Sequence, residues 1–286
     1  MLVVSAFVVV LVGALLLLGI VPSRRRRYRP RETPTWAWRT VLFGGVIFPI
    51  LVLIALWVLT LRDIRAISAT RASALTVAVT GHDWWWEVRY PKQNIVTAND
   101  IHIPTGQAVK VLLITDDVLH SFWVPQLAGK TDLIAGKTNV MWLQADRPGV
   151  YRGQCAEYCG LQHAHMAFYV IAHPPAEFRS WVAQETTAPA SSAAPNLAHG
   201  EEVFTTTSCG ACHSIRGTTA TGTDGPDLTH FGSRLSIGAG TVPNTRGNLA
   251  GWIIDSQSIK PGNLMPPIQL SPSDLQALID YLESLT

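Results

Sequence analysis

Two long stretches without an ionisable side chain constrain the first part of this 286-residue chain more than any other feature. They are Met1–Pro22 and Thr40–Leu61, and each is close to the ~20 residues that a helix needs to cross ~30 Å of hydrocarbon. Because lipid offers the backbone no hydrogen-bond partner, such a stretch spans a membrane as a helix. We therefore predict two transmembrane helices, at residues 1–22 and 40–61.

The connector between the two stretches, residues 23–39, is strongly basic. It holds seven arginines and one acid, Glu32, which gives a net charge of +6. Because Lys and Arg collect in cytoplasmic loops, we predict a cytoplasmic connector and both chain ends outside the plasma membrane. A cleaved signal peptide is the alternative for the first stretch, but a signal carries its positive charge before the apolar run, whereas Arg24–Arg27 follow it.

The remainder of the chain divides into two domains. From Arg62 onward there are fifteen bases and nineteen acids, a balance that argues against binding to nucleic acid. Residues 62–184 alternate β-rich runs with turn residues, which predicts a small sandwich of strands; the runs are LTVAVTG, VKVLLIT, TNVMWLQ and MAFYVIAH. Residues 185–196, ETTAPASSAAPN, have the composition of a flexible linker. Residues 197–286 begin and end with helical patterns and show hardly any strand signal between them.

The first cysteine pair has the spacing of a metal site. In QCAEYCGLQHAHM, Cys155, Cys159, His163 and Met166 bring two thiolates, an imidazole and a thioether onto one loop, and His120 is the natural further ligand. Soft sulfur with imidazole suits copper. A disulfide is an alternative, but it would close a very small loop, and a tetrahedral zinc site is another, but it needs no methionine.

The second cysteine pair lies in SCGACH. Cys209 and Cys212 followed directly by His213 form the attachment signature of a c-type haem, in which His213 ligates the iron. Met265, on the Pro-rich loop PGNLMPP, offers the second axial ligand. A chance CxxCH or a thiol redox motif is the alternative, and neither explains Met265.

His120 together with the pattern Cys-x-Glu-x-Cys-x3-His-x2-Met resembles the binuclear CuA centre of cytochrome c oxidase subunit II, which has two N-terminal spans and a cupredoxin domain with a Greek-key β-sandwich. The resemblance runs from Met1 to about Gln184. It implies two copper ions bridged by Cys155 and Cys159, capped by His120 and His163, with Met166 as a weak ligand and the Glu157 backbone carbonyl as another. In the family this Glu side chain also reaches a Mg²⁺ shared with the catalytic subunit. His165 departs from the motif, and we expect a structural role for it.

The segment GHDWWWEVRY, residues 81–90, resembles the aromatic patch of the same family, with Asp83 and Trp85 where the common form has Gln and Tyr. The resemblance implies that Trp84 lies over the copper centre, where an external donor passes its electron. Packing in the core or at its rim is the alternative for Trp84, Trp85 and Trp86.

Residues 197–286 resemble an all-α class I cytochrome c, of the kind fused to subunit II in caa3-type oxidases. In that family a Pro carbonyl, here in Gly225-Pro226-Asp227-Leu228, accepts a hydrogen bond from the haem-ligating His. Its terminal helices cross at a Gly against an aromatic side chain, which points here to Gly200 and Phe204 against Leu278, Tyr281 and Leu282.

The resemblance therefore implies the electron-input subunit of a proton-translocating terminal oxidase. Electrons would pass from an external donor, a cytochrome c or a quinol-oxidising complex, to haem c, then to copper, then to subunit I, with subunit III as a further partner. We expect the tethered haem to be the main entrance for electrons rather than Trp84. The small subunit of a CuA-containing nitric-oxide reductase and a membrane-anchored copper-delivery protein remain alternatives. Glu32 has two candidate roles, charge balance among the arginines and proton entry.

Overall fold

The computed structural model describes residues 2–23, 35–68, 75–189 and 194–286. The chain divides at residue 70 into two compact units. Glu32, Arg24–Arg27 and the middle of the predicted linker, residues 190–193, lie outside the described residues.

One helix in the first unit is long enough to cross a membrane. Helix α2, Thr35–Leu42, runs through a π-helical turn at Phe43–Ile47 into α3, Phe48–Ser68. The stretch Thr35–Ile64 is 30 residues long and strongly apolar. It contains the predicted second span but begins five residues before Thr40, because nothing between the two positions interrupts the helix.

The first predicted span is also helical. Helix α1, Leu2–Ser23, has 22 residues. The part whose side chains are described, Ser5–Leu18, is apolar but shorter than a span. Within the described residues, one helix rather than two therefore meets the length of a membrane span.

Ten strands form a sandwich of two five-stranded sheets. They are β1 Thr76–His82, β2 Trp85–Tyr90, β3 Ile95–Ala98, β4 Asp100–Pro104, β5 Val109–Thr115, β6 His120–Trp123, β7 Thr131–Leu133, β8 Asn139–Leu143, β9 Gly149–Cys155 and β10 Ala167–His173. The sheet orders are β3-β2-β1-β5-β8 and β4-β10-β9-β6-β7. Pairs β1–β5 and β4–β10 are parallel, and the other pairs are antiparallel. The four β-rich runs of the sequence lie in β1, β5, β8 and β10, which confirms the predicted sandwich.

An aromatic cluster fills the space between the sheets, close to the loop that carries Cys155 and Cys159. Trp86, Phe122 and Phe168 are fully buried, and the Trp86 ring meets the other two edge-on at 5.9 and 5.1 Å between centroids. Alternation of buried and exposed residues along the strands places these side chains inward. Gly153 lies beneath Phe168, where a Cβ would be 2.2 Å from the ring. The core therefore fixes the strand ends from which the candidate ligands project.

The domain that carries the haem attachment motif, residues 194–286, is built from four helices. After α4, Pro175–Glu185, which closes the sandwich, come α5 Pro195–Thr206, α6 Cys209–Cys212, α7 Arg246–Ile259 and α8 Pro272–Ser284. The domain also contains a pair of two-residue strands, β11 Ser236–Ile237 and β12 Val242–Pro243. The sequence did not predict them because two residues are too few to show an alternation of apolar and polar side chains.

The terminal helices α5 and α8 cross at a glycine, as the resemblance implies. A Cβ on Gly200 would lie 2.2 Å from the carbonyl oxygen of Ala277 and 2.6 Å from the Cβ of Tyr281. The ring of Phe204 packs one turn away, 6.3 Å from that of Tyr281. The two backbones can approach this closely only because Gly200 lacks a side chain.

Candidate metal centre and haem site

The candidate copper ligands meet where β6 and β9 lie side by side. Phe122 of β6 pairs with Cys155, the last residue of β9, so His120 and Cys155 project from neighbouring strand ends. The loop from β9 to β10 carries the other candidates. Its base is closed by a hydrogen bond of 2.9 Å from the Cys155 N–H to the Met166 carbonyl.

The structure brings all six predicted copper-site residues together. Both cysteines are free thiols with their Sγ atoms 3.7 Å apart, well beyond the ~2.05 Å of a disulfide bond. His163 Nδ1 lies 3.6 Å and Met166 Sδ 3.8 Å from Cys159 Sγ. His120 Nδ1 lies 3.9 Å and the Glu157 carbonyl oxygen 3.2 Å from Cys155 Sγ. This donor set of two thiolates, two imidazoles, a thioether and a carbonyl fits a pair of copper ions.

Asp117 contacts a candidate copper ligand, and the sequence analysis did not identify it. Its Oδ1 lies 2.8 Å from His120 Nε2. A carboxylate can only accept, so Nε2 carries a hydrogen and donates it to Asp117, which turns Nδ1 towards the Cys155 sulfur. Burial raises the pKa of Asp117, but the hydrogen bonds from His120 and Thr115 outweigh burial and leave the pKa below its ordinary value. The position of Asp117, three residues before His120, was the available signal.

The contact between the two sulfurs shifts the pKa values of Cys155 and Cys159 in opposite directions. The hydrogen bond between the two sulfurs lowers the pKa of Cys155 to about 3. The same hydrogen bond, together with burial, raises the pKa of Cys159. Thiolate is the form that binds metal, so a lowered pKa makes Cys155 available as a ligand.

His165 points away from the ligand cluster. Its Nδ1 lies 2.7 Å from Gln162 Oε1, and its carbonyl accepts a hydrogen bond of 2.7 Å from the Lys260 ammonium. These contacts agree with the structural role expected for His165, which stays a prediction.

The three consecutive tryptophans have three different surroundings. Trp86 is in the core, and Trp85 stacks on His82 with 4.6 Å between ring centroids. Trp84 is partly buried, and its Nε1–H donates to the carbonyl of Cys159 at 2.8 Å. Trp84 thus touches the backbone of a candidate ligand, whereas its two neighbours serve packing.

The haem attachment motif lies on the short helix α6. His213 follows the helix, and its Nδ1–H donates to the Pro226 carbonyl at 2.7 Å, as the resemblance implies. A Cβ on Gly225 would lie 2.5 Å from the His213 ring, so this glycine is required for the contact. Burial lowers the pKa of His213, with the Pro226 bond opposing it, and the neutral imidazole is the form that ligates iron.

The loop of Met265 is held by side chains of α7. The Met265 carbonyl accepts hydrogen bonds from Ser256 Oγ at 2.8 Å and from Gln257 Nε2 at 3.1 Å, and the Met265 N–H donates to Asn263 Oδ1 at 2.8 Å. An imidazole, a thioether and two free thiols at an attachment motif fit a covalent haem.

The fold and the two sites define a membrane-anchored electron carrier with a cupredoxin-like domain and a cytochrome c domain. Residues 92–173 match the periplasmic domain of cytochrome c oxidase subunit II, and residues 197–286 match the cytochrome c family. Over 258 residues the chain is 34% identical to cytochrome c oxidase subunit 2 of Bacillus sp. PS3, covering 84% of this chain and 72% of that relative. The chain therefore belongs to the family of cytochrome c oxidase subunit II, and its two domains imply CuA copper and haem c as cofactors.

Another relative is more similar in sequence but is matched over a smaller share of its length. The chain is 45% identical over 211 residues to cytochrome c oxidase subunit 2 of Alkalihalophilus pseudofirmus, covering 73% of this chain and spanning 60% of that relative's length. A solved structure, the periplasmic domain of subunit II of cytochrome oxidase from Bradyrhizobium japonicum, has 28% identity, covers 41% of this chain and 96% of its own, and has a TM-score of 0.40.

Proposed function

We propose that this chain is the electron-input subunit of a membrane cytochrome c oxidase. It takes electrons from an external donor at haem c, passes them to the copper pair, and delivers them to a haem–copper partner subunit that reduces oxygen to water. The copper pair and the haem supply one-electron redox chemistry, and the protein supplies their ligands and their proximity.

One observation carries this proposal: the loop of Met265 lies against the loop of the copper cysteines. Gln162 Nε2 donates to the Pro261 carbonyl at 2.7 Å. A Cβ on Gly262 would lie 2.9 Å from Leu161 Cδ2. Contact between these two loops shortens the path for electrons between the two sites, and a copper-delivery protein has no need of it. Membership of the oxidase family favours an oxidase over a nitric-oxide reductase.

We assign the ligands as the motifs predict. The residues that would hold the CuA copper ions are Cys155 and Cys159 through their thiolates, His120 and His163 through their imidazoles, Met166 through its thioether and Glu157 through its backbone carbonyl. Cys209 and Cys212 would attach haem c through their thiols, and His213 and Met265 would ligate its iron.

The finer assembly belongs to the same proposal. The Glu157 side chain is partly exposed, with Oε2 3.6 Å from Lys130 Nζ, which leaves it accessible to a Mg²⁺ shared with subunit I. Subunits I and III are the proposed membrane partners. Residues 1–22 and 40–61 are the proposed spans, with the connector 23–39 in the cytoplasm and both chain ends outside the plasma membrane.

Removal of the haem domain tests where electrons enter. Truncation after Gln184 within the intact complex should collapse oxidation of the native donor, because the donor then has no haem to reduce. The mixed-valence copper EPR signal should persist, since every proposed copper ligand precedes the cut.

A matched control is the full-length Cys209→Ser/Cys212→Ser chain, which keeps the domain without the attached haem. It should lose donor oxidation equally. An undiminished rate in the truncated complex would show that electrons enter at the copper domain directly, and a full-length complex without haem c and mixed-valence copper spectra would contradict the proposed function.

A further inference from the structure

Lys260 is the most deeply enclosed lysine at the junction of the copper and haem domains, in the described part of the chain. It follows the last residue of α7, and it is 3% exposed. Its Nζ donates three hydrogen bonds, to the carbonyls of Trp84 at 2.8 Å, His165 at 2.7 Å and Gly238 at 2.7 Å. Two of these acceptors belong to the copper domain and one to the haem domain.

The geometry requires an ammonium group. A protonated lysine has three N–H donors, which matches the three carbonyls, whereas a neutral amine has only two. Burial lowers the pKa of Lys260 to about 7. Among the described residues no carboxylate forms an ion pair with Lys260, so the three carbonyls carry the compensation for burying its charge.

The carbonyls that accept hydrogen bonds from Lys260 lie beside the candidate copper ligands and in the haem domain. Trp84, which offers one carbonyl, donates from its ring to Cys159. His165 lies between the candidate ligands His163 and Met166. Two residues after Lys260, Gly262 approaches the Trp84 ring, since a Cβ there would lie 3.8 Å from Cη2. Lys260 therefore fixes the loop of Met265 against the copper loop at the tryptophan.

We propose that Lys260 is a positioning residue. Through its hydrogen bonds to Trp84 and His165 it holds the haem domain against the copper domain, and we call this contact the latch. The latch keeps the two redox sites close enough for direct electron transfer. This rests on the proposed function, in which one electron lost by the haem iron is gained by the copper pair. With the latch closed, the surface around Trp84 is covered by the protein's own haem domain. Trp84 then serves internal transfer instead of receiving an external donor.

The test replaces Lys260 by Met, which keeps the length of the side chain and removes every donor. Lys137→Met is the matched control, because Lys137 is an exposed lysine in the β7–β8 turn. After photoreduction of the haem in the full-length complex, we expect the haem-to-copper rate to fall about tenfold in Lys260→Met, in proportion to the docked population, and to be unchanged in Lys137→Met. The haem and copper spectra and reduction potentials should stay those of the unmodified chain.

A second measurement does not depend on turnover. In the copper-free chain, hydrogen exchange of the backbone of residues 161–165 should accelerate in Lys260→Met, because the haem domain no longer covers that loop. Should Lys260→Met fail to fold, Lys260→Gln, which keeps a polar group but two donors, should show the same changes to a smaller extent.

The outcomes separate the latch from the proposed function. If the unmodified chain transfers electrons and both Lys260 variants transfer equally fast with unchanged exchange, the latch is wrong and the function stands. If the unmodified chain shows no transfer from haem to copper, the proposed function itself fails.

Discussion

Each ring nitrogen of His120 has its own partner, and this division decides how the residue can bind metal. Nε2 is held by Asp117, and Nδ1 faces Cys155. His120 is fully buried, so it cannot change its tautomer or orientation by exchanging Asp117 for water. The carboxylate thus sets the geometry of a ligand before any metal arrives.

Asp117→Asn tests this positioning. The amide keeps the shape of the side chain but loses the charge that orients and polarises His120. We expect copper affinity to fall by about 10- to 100-fold, measured by competition with a copper chelator and by the EPR signal. His165→Ala is the control and should retain both coppers. Equal copper retention in Asp117→Asn and the unmodified chain would show that Asp117 does not position His120.

At the scale of elements, close contact between α5 and α8 depends on Gly200. A helix interior normally favours Ala over Gly by about 1 kcal/mol, so a glycine here has a local cost that the contact offsets. The contact is between backbones, because the nearest atom to an added Cβ is the Ala277 carbonyl oxygen. The crossing in turn sets the position of α6, which directly follows α5 and carries the haem cysteines.

Gly200→Ala should therefore destabilise the haem domain by about 1–3 kcal/mol in spite of the better helix propensity of Ala. Gly247→Ala is the matched control, because Gly247 is also helical and an added Cβ there meets nothing within 4 Å. The control should be neutral or more stable by up to about 1 kcal/mol. Thermal unfolding followed by helical circular dichroism and by haem absorbance measures both. Equal effects of the two substitutions would contradict a close crossing at Gly200.

At the scale of the whole molecule, polar contacts to backbone groups join the copper and haem domains at several points. Asp100 is an example: its Oδ2 accepts from the Leu235 N–H at 2.9 Å, while its Oδ1 is buried without a partner. Burial raises the pKa of Asp100 to about 6, and the Leu235 hydrogen bond and the charge of Arg234 oppose it. A buried carboxylate at this junction makes the assembly sensitive to pH.

The sign of that sensitivity follows from the raised pKa. The folded protein favours protonated Asp100. The contribution of Asp100 to the free energy of unfolding is therefore complete below its unfolded pKa of 3.8 and is lost as the pH rises through about 6. Asp100→Asn keeps an acceptor for Leu235 and removes the titration. Relative to the unmodified chain, it should gain up to about 3 kcal/mol in the free energy of unfolding at pH 7.5 and little at pH 4. A difference that is the same at both pH values would contradict buried ionisation of Asp100.

The candidate cofactor sites could largely be predicted from the sequence because most of their proposed ligands, apart from His120 and Met265, are close in the chain. Cys155 to Met166 span one loop, and any fold of that loop keeps their side chains near one another. The same holds for Cys209, Cys212 and His213. Strand and helix patterns predicted the two domains because the hydrophobic periodicity of a segment reflects which of its faces is buried. The first apolar stretch stays a prediction as a span, since its described part is too short.

The tertiary structure alone decided how the two sites meet. Lys260 and Trp84 are 176 residues apart, and Trp84 and Cys159 are 75 apart. In both pairs the acceptor is a backbone carbonyl, which every residue possesses and no pattern marks. The sequence therefore determined which cofactors this chain can hold, since ligand chemistry depends on side chains near one another in the chain. Only the packing of two folded surfaces decided that a buried lysine joins the haem loop to the copper loop, because that contact depends on shape and on the burial of a charge.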